Sequence, residues 1–202
     1  MATLGSLMDP IVAWVVALML SWAPPGKSKI EHARETAEAG RARYEEIARA
    51  ATSVCYDAQT PPLFFGKRGR AQTVALLLSV AYHESGFRRD VDLGLGPLAR
   101  GSGTDSCLMQ LRVGKGTTAE GWSHDDLIRD RRMCFRAGLA LLRRSLGACR
   151  HLGTLDGLSA YASGRCVAGS ATSRALVGPA LRARAAPLLD AEVLAALEAP
   201  RE

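Results

Sequence analysis

The feature of this sequence that most directly suggests chemistry is a carboxylate at the end of a buried apolar run. The stretch AYHESGF, residues 81–87, places Glu84 after the run AQTVALLLSVAYH, and Gly86 follows as a left-handed helix cap. The negative end of the helix dipole and the apolar surroundings both disfavour the ionised form, so we expect the pKa of Glu84 to lie above the ordinary value of about 4.3. A carboxyl group that keeps its proton near neutral pH is what a general acid requires. This feature alone does not distinguish a general acid from the alternative, a partly exposed glutamate at a helix end that has no functional role.

The elements that would position Glu84 are predicted to be mainly helical. The chain has 202 residues, 48% of them hydrophobic, which is enough to bury a substantial core. Ala, Leu and Arg are abundant and β-branched runs are scarce, which favours helices. Hydrophobic periodicity and capping signals predict helices that begin at the Ser28 and Glu31 capping box, near residue 70, near residue 126 and near residue 157, and a helical tail over about 172–199. The stretch CLMQLRV, residues 107–113, predicts a strand, and residues 88–106 predict a long irregular loop.

The N-terminal run from Ile11 to Leu20 is apolar without interruption but shorter than the ~18 residues that a membrane span needs. No Lys or Arg precedes it, which is unlike a signal peptide. A cleaved signal peptide, a buried helix and a membrane-surface anchor all stay open for this run. We predict a hydrophobic segment and linker over residues 1–27, followed by the main domain over residues 28–202.

A formal charge of +6 indicates an anionic partner such as nucleic acid, anionic lipid or an envelope polymer. Seven arginines cluster in one stretch of the sequence: Arg129, Arg131, Arg132, Arg136, Arg143, Arg144 and Arg150. They could form an ordinary solvated helix face or a surface that attracts a polyanion. No recognised nucleic-acid motif accompanies them, so we expect no nucleic-acid partner.

Metal and nucleotide motifs are lacking in the sequence. The five cysteines form no C-x-x-C pair and the histidines form no H-x-x-x-H pair, so we predict no zinc site. The stretches GLGPLA and GKGTT lack the strand context and the spacing of nucleotide-binding loops. We therefore expect no cofactor.

Three segments read together change the interpretation of Glu84. In order and spacing, ESGF, CLMQ and AYASG resemble the E-S, G-L-M-Q and A-Y-N-A-G motifs of soluble lytic transglycosylases and goose-type lysozymes, and RRMCFRAGLALL resembles that family's N-I-x-x-G-x-x-Y-L helix. The resemblance covers roughly residues 65–170. The matching residues are Glu84, Ser85, Met109, Gln110, Tyr161 and Gly164. Cys107 stands where the family has Gly, and Ala162 stands where it has Asn, which affects fine substrate contacts more than the acid.

The resemblance implies a mainly α, lysozyme-like helical domain with a small β element. It also implies cleavage of the β-1,4 bond between N-acetylmuramic acid and N-acetylglucosamine in peptidoglycan. Glu84 would protonate the glycosidic oxygen and then act as base, while the substrate's own acetamido group and 6-hydroxyl give a 1,6-anhydro product. Tyr161 would hydrogen-bond near the reacting centre, Met109 and Gln110 would line the saccharide groove, and Ser85 and Gly164 would complete the substrate site.

Two further activities stay open on the same fold. A goose-type muramidase would hydrolyse the bond if a second carboxylate held a water about 6.5–9.5 Å from Glu84, and the candidates are Asp90, Asp92 and Asp105. Those aspartates also suit ordinary loop solvation or turn capping. A glycan-binding module without catalysis would use the same groove and would not need an acid.

By the same resemblance we expect disulfides between Cys107 and Cys134 and between Cys149 and Cys166, with Cys55 free. Such bonds belong to an oxidising compartment, so the cell envelope or a phage particle is the expected location. The expected partner is the peptidoglycan glycan strand, and the expected state is a monomer.

Overall fold

A computed structural model describes residues 4–101, 103–114, 116–152 and 156–168, and confirms a mainly α chain with a small β element. The predicted helical tail over about 172–199 lies outside the described residues. The helices are α1 (Leu4–Trp22), α2 (Ala37–Tyr56), α3 (Gly69–Ser85), α4 (Arg89–Asp92), α5 (His124–Arg129), α6 (Arg131–Ala148) and α7 (Ser159–Ser163). The strands are β1 (Asp105–Ser106) and β2 (Leu111–Arg112), and short 3-10 turns cover Glu31–Ala33 and Arg150–Leu152.

Helix α3 runs through the core, as its nearly continuous apolar sequence predicts. Val74, Leu77 and Val80 are fully buried, and α2 and α6 both pack against this helix. An element that is apolar on every side can be stable in water only when other elements cover it. The covering helices therefore fix the position of the glutamate at the end of α3.

The apolar N-terminal run forms part of α1 and packs into the same core. Ile11, Val15 and Met19 are almost completely buried, and α1 lies against α2 and α3. The hydroxyl of Tyr44 on α2 donates a hydrogen bond to the carbonyl of Ala23, 2.7 Å away, which ties the end of this segment to the domain. Among the described residues, no helix is both long and apolar enough to cross a membrane. The division of the chain near residue 28 stays a prediction.

The predicted start of the second helix was wrong. The Ser28 hydroxyl accepts a hydrogen bond from the Ile30 N–H, which forms a local turn, and only a short 3-10 turn follows. Helix α2 begins after Thr36, whose hydroxyl accepts from the Ala39 N–H at 3.1 Å. It continues through Gly40, where Pro25 packs so closely that an added Cβ would lie 2.2 Å from the proline Cβ.

The arginine-rich helix is divided at Asp130. The short helix α5 begins with a capping box formed by Ser123 and Asp126, and α6 begins anew after Asp130. The Asp130 carboxylate accepts a hydrogen bond from the Arg132 N–H at 2.8 Å, so an N-cap stands where periodicity predicts a continuous helix.

The predicted strand over residues 107–113 is confirmed at Leu111–Arg112, which form β2, and is wrong over CLMQ. Residues 107–110 form the turn of a β-hairpin, in which Asp105 lies opposite Arg112 and Ser106 lies opposite Leu111. Cys107 and Gln110 have φ angles of 56° and 44°, and the Gln110 N–H donates to the Cys107 carbonyl at 2.9 Å. The left-handed backbone at both ends of the turn is incompatible with an extended strand.

Both expected disulfides are present. Cys107 is bonded to Cys134, which ties the hairpin turn to α6, and Cys149 is bonded to Cys166, which ties the end of α6 to the segment after α7. Cys55 is a buried free thiol, as expected. Two disulfides are typical of chains that mature in an oxidising compartment.

Candidate active site

Glu84 lies in the last turn of α3, and the residues that follow it close the helix. Gly86 has a φ of 60° and donates its N–H to the Tyr82 carbonyl at 2.7 Å, so the left-handed cap is confirmed. The Ser85 hydroxyl donates to the Ala81 carbonyl at 2.7 Å and accepts from the Phe87 N–H at 3.3 Å. Ser85 is buried and serves the helix end, whereas Glu84 is half-buried and reaches a cleft.

The chain after Glu84 is held by a buried aromatic and a buried arginine. The ring of Phe87 lies 5.8 Å from that of Tyr44 and 5.9 Å from that of Tyr82, measured between centroids. Arg43 on α2 donates from Nη2 to the Phe87 carbonyl at 2.9 Å. These contacts fix the backbone three residues beyond the candidate acid.

Besides the candidate second carboxylate Asp105, four of the predicted site residues line one open cleft of about 490 Å³: Glu84, Gln110, Tyr161 and Gly164. They come from α3, the hairpin turn and α7, so the fold brings together three segments that are far apart in sequence. The remaining wall is formed by Asp105, Arg112, Leu141, Ala160, Ala162 and Ser163. Of this second group, the sequence analysis named Asp105 as a site residue and did not name Arg112. Gln110 ends a tight turn with a φ of 44° and Arg112 lies on the strand after it, so regular strand alternation does not link the two residues and the sequence offers no direct signal for Arg112.

Tyr161 joins α7 to the hairpin. Its hydroxyl donates a hydrogen bond to the Met109 carbonyl at 2.7 Å, and its N–H donates to the Ser145 hydroxyl at 2.9 Å. The Ser145 hydroxyl in turn donates to the Gly157 carbonyl at 2.8 Å. The phenol therefore bridges two walls of the cleft.

The side chain of Met109 does not line the cleft. Met109 is 0% exposed, and its side chain lies against Gly138 of α6, where an added Cβ would come within 2.7 Å of the methionine Cε. The prediction that Met109 lines the groove is therefore corrected, because this side chain packs the hairpin onto α6 and only the backbone of the turn faces Tyr161.

Gln110 supports the loop that precedes the hairpin. Its Nε2 donates to the Ala99 carbonyl at 3.3 Å and to the Cys107 carbonyl at 3.1 Å. The carboxamide oxygen lies close to Gly101, where an added Cβ would be 2.5 Å away. Gln110 thus holds the turn in shape and also contributes to the wall of the cleft.

Asp90 and Asp92 are not available as a second carboxylate. Asp90 is 1% exposed and forms an ion pair with Arg88, with a hydrogen bond from Nε of 3.0 Å. Asp92 is 2% exposed and accepts two hydrogen bonds of 2.8 Å from Arg131 and one of 3.3 Å from Arg43. The hydrogen bond to Asp92 raises the pKa of Arg131, which keeps the pair charged. Both aspartates serve the packing of α4, and of the three candidates only Asp105 lines the cleft.

A second cleft of about 380 Å³ adjoins the first at Asp105. Arg100 lies in it and donates from Nε to Nε2 of His124 at 3.1 Å. Burial and the positive charge of Arg100 lower the pKa of His124, which favours the neutral imidazole as acceptor. Asp105 lines both clefts.

Within the described part of the chain, no group of three His, Cys, Asp or Glu residues could hold a metal ion. Comparisons with models of protein families, with curated proteins and with solved structures find no match for this chain.

Proposed function

We propose that this protein is a lytic transglycosylase of lysozyme-like fold that cleaves the β-1,4 bond between N-acetylmuramic acid and N-acetylglucosamine in peptidoglycan. The observation that supports this proposal best is the convergence of Glu84, Gln110 and Tyr161 on one cleft. These are the residues that resemble the family's motifs, and they lie in three separate segments. If the short motifs resembled the family only by chance, the three segments would have no reason to lie together in the fold.

In the proposed reaction, the half-buried Glu84 donates its proton to the glycosidic oxygen as the bond to the leaving sugar breaks. The acetamido group of the muramic acid stabilises the positive charge that develops on the sugar. The same carboxylate then accepts the proton of the 6-hydroxyl, whose oxygen closes the 1,6-anhydro ring. A second cleft that shares Asp105 with the first lies nearby and could hold a further sugar of the polymer.

Hydrolysis is the second candidate activity, and the position of Asp105 in the same cleft favours it. A carboxylate in that place could orient a water for attack on the sugar, as in inverting glycosidases. The muramidase and the transglycosylase break the same bond, and they differ in the chemical nature of the new end.

Product analysis on purified peptidoglycan tests the proposal. We expect soluble fragments whose muramic acid ends are one water lighter than a reducing end and resist borohydride reduction. Reducible ends would establish the hydrolase instead. If the intact protein releases no fragments but is pulled down with the polymer, it is a glycan-binding module without catalysis.

The two disulfides suit the proposed location in the cell envelope or on a phage particle, where peptidoglycan is accessible. The cluster of exposed arginines on α6 would then help to bring the protein to an anionic wall. A salt-dependent rate of wall digestion would support that role.

A further inference from the structure

Arg112 is an arginine in the cleft whose role the fold does not explain. It lies on β2 opposite Asp105, is exposed, and lines the cleft with Glu84 and Tyr161. Among the described residues, its guanidinium forms no hydrogen bond or ion pair. Arg131 differs from it, because Arg131 is engaged by Asp92 and Glu46 and holds helices together.

The backbone that carries Arg112 is firmly held. Ser106 pairs with Leu111 across the hairpin, and the Val113 N–H donates to the Thr104 carbonyl at 2.8 Å. The disulfide from Cys107 to Cys134 fixes the turn to α6. The guanidinium is therefore presented to the cleft from a rigid base, which reduces the conformational freedom that a ligand would have to restrict.

The charges in the cleft indicate what Arg112 would bind. Glu84 and Asp105 are the acidic residues of the cleft wall, and both would repel a negatively charged ligand when ionised. A guanidinium between the cleft and solvent offsets that repulsion, and its planar fork matches the two oxygens of a carboxylate. A strand of neutral amino sugars offers no such group.

We propose that Arg112 is a specificity residue that binds a carboxylate carried by the glycan, so that the cleft prefers carboxylate-bearing strands to neutral N-acetylglucosamine polymers. The inference rests on the proposed function, since it assumes a glycan in this cleft. A carboxylate can come from the stem peptide or from the free lactyl group of muramic acid that has lost its peptide. The shared chemistry is one carboxylate within reach of β2.

Binding to the full chain that carries Glu84→Gln, which cannot turn over the ligand, tests the inference. The ligands are a peptide-bearing glycan fragment, the same fragment stripped of its peptides, and a neutral chito-oligosaccharide of equal length. Adding Arg112→Ala should weaken binding of the carboxylate-bearing ligands by ~10-fold or more, which is the usual effect of losing one charge-assisted hydrogen bond. The affinity for the chito-oligosaccharide should change by no more than about twofold. A loss confined to the peptide-bearing fragment identifies the stem carboxylates, a loss confined to the stripped fragment identifies the free lactyl carboxylate, and a loss on both fragments means that either carboxylate reaches Arg112.

Arg132→Ala is the matched control, because Arg132 is an exposed arginine on α6 outside the cleft and its loss changes the net charge equally. Equal weakening by both variants would overturn the inference in favour of a general charge effect. Equal weakening of all three ligands by Arg112→Ala, or no binding of any ligand, would also overturn it. Arg112→Lys should bind carboxylates with intermediate affinity if the planar fork contributes.

The outcome is separable from that of the proposed function. A wild-type protein that does not cleave peptidoglycan but shows Arg112-dependent binding of carboxylates would refute the enzyme and support the inference. In the opposite case, the wild-type protein cleaves peptidoglycan, and the Arg112→Ala variant cleaves peptide-bearing and neutral strands in the same ratio as the wild type does. That result would support the enzyme and refute the inference.

Discussion

The phenol of Tyr161 shows how single hydrogen bonds hold the cleft together. Its hydroxyl bonds to the carbonyl of Met109 in the hairpin turn, so the bond connects α7 to the segment that carries Gln110. A buried carbonyl that loses its donor remains without a partner and cannot recover water easily. The hydroxyl therefore contributes to stability as well as to the shape of the site.

We expect Tyr161→Phe to lower the free energy of unfolding by about 1 to 3 kcal/mol. Tyr56→Phe is the matched control, because the Tyr56 hydroxyl is buried and finds no hydrogen-bond partner within the described part of the chain. Removing that hydroxyl should be neutral or stabilising. Urea denaturation of the two variants measures both effects, and equal losses of stability would contradict the role given to Tyr161.

At this scale, the sequence predicted the residues of the cleft better than their neighbours. Glu84, Gln110 and Tyr161 could be found because their motifs are local. Asp92 could not be placed, because its partners Arg43 and Arg131 are distant in sequence and only the packed fold brings them to it. The lining role of Arg112 could not be predicted for a different reason, since it depends on the tight turn before β2, which the apolar pattern of CLMQ does not signal.

At the scale of elements, the fit of the hairpin onto α6 depends on one glycine. Gly138 allows the Met109 side chain to lie directly on the helix, and the sulfur would be 3.3 Å from an added Cβ. Because Met109 is completely buried, a larger residue at position 138 forces the Met109 side chain, or the hairpin turn that carries it, to shift away from α6. The turn also carries Gln110, so a shift of the turn would change the cleft.

We expect Gly138→Ala to destabilise the protein by about 1 to 3 kcal/mol, as overpacking of a core usually does. Gly147 lies in the same helix with no atom within 4 Å of an added Cβ, so Gly147→Ala should stabilise the protein by roughly 0.5 to 1 kcal/mol through helix propensity. Thermal denaturation of the pair gives the comparison. A shift of the same sign in both variants would mean that propensity, not the contact with Met109, governs position 138.

The helices themselves were largely predictable from the sequence, and their boundaries were not. The apolar run before Gly86 correctly predicts α3, because the hydrophobic pattern and the glycine cap both place the end of the helix at the same point. The break at Asp130 and the start of α2 after Thr36 depend on which of several capping residues is used, and tertiary contacts decide between them. The turn over CLMQ was missed because its apolar residues face the core while its backbone adopts left-handed angles.

At the scale of the whole molecule, covalent bonds and burial set the state of every cysteine. Cys107, Cys134, Cys149 and Cys166 form the two disulfides, and they anchor the hairpin and the end of α6. Cys55 lies in the core on α2, where burial raises the pKa of its thiol to about 12. A thiol of that kind is protonated at neutral pH and out of reach of reagents.

We therefore expect no reactive thiol in the folded, oxidised protein at pH 8, and one reactive thiol per chain after denaturation in guanidinium. Titration with a chromogenic disulfide reagent before and after denaturation measures both numbers. Immediate reaction of the folded protein would contradict the burial of Cys55, and more than one thiol after denaturation would contradict the disulfides.

One substitution tests most directly whether Glu84 is the proton donor of the proposed peptidoglycan cleavage. Glu84→Gln keeps the size of the side chain but cannot donate a proton, so release of soluble fragments from purified peptidoglycan should fall by at least ~10²-fold. Folding should be retained, because a neutral amide at a helix C-terminus removes an unfavourable contact with the dipole. Glu38→Gln, an exposed glutamate on α2, is the matched control and should keep full activity. A Glu84→Gln protein as active as the wild type would contradict the role of Glu84 as the proton donor.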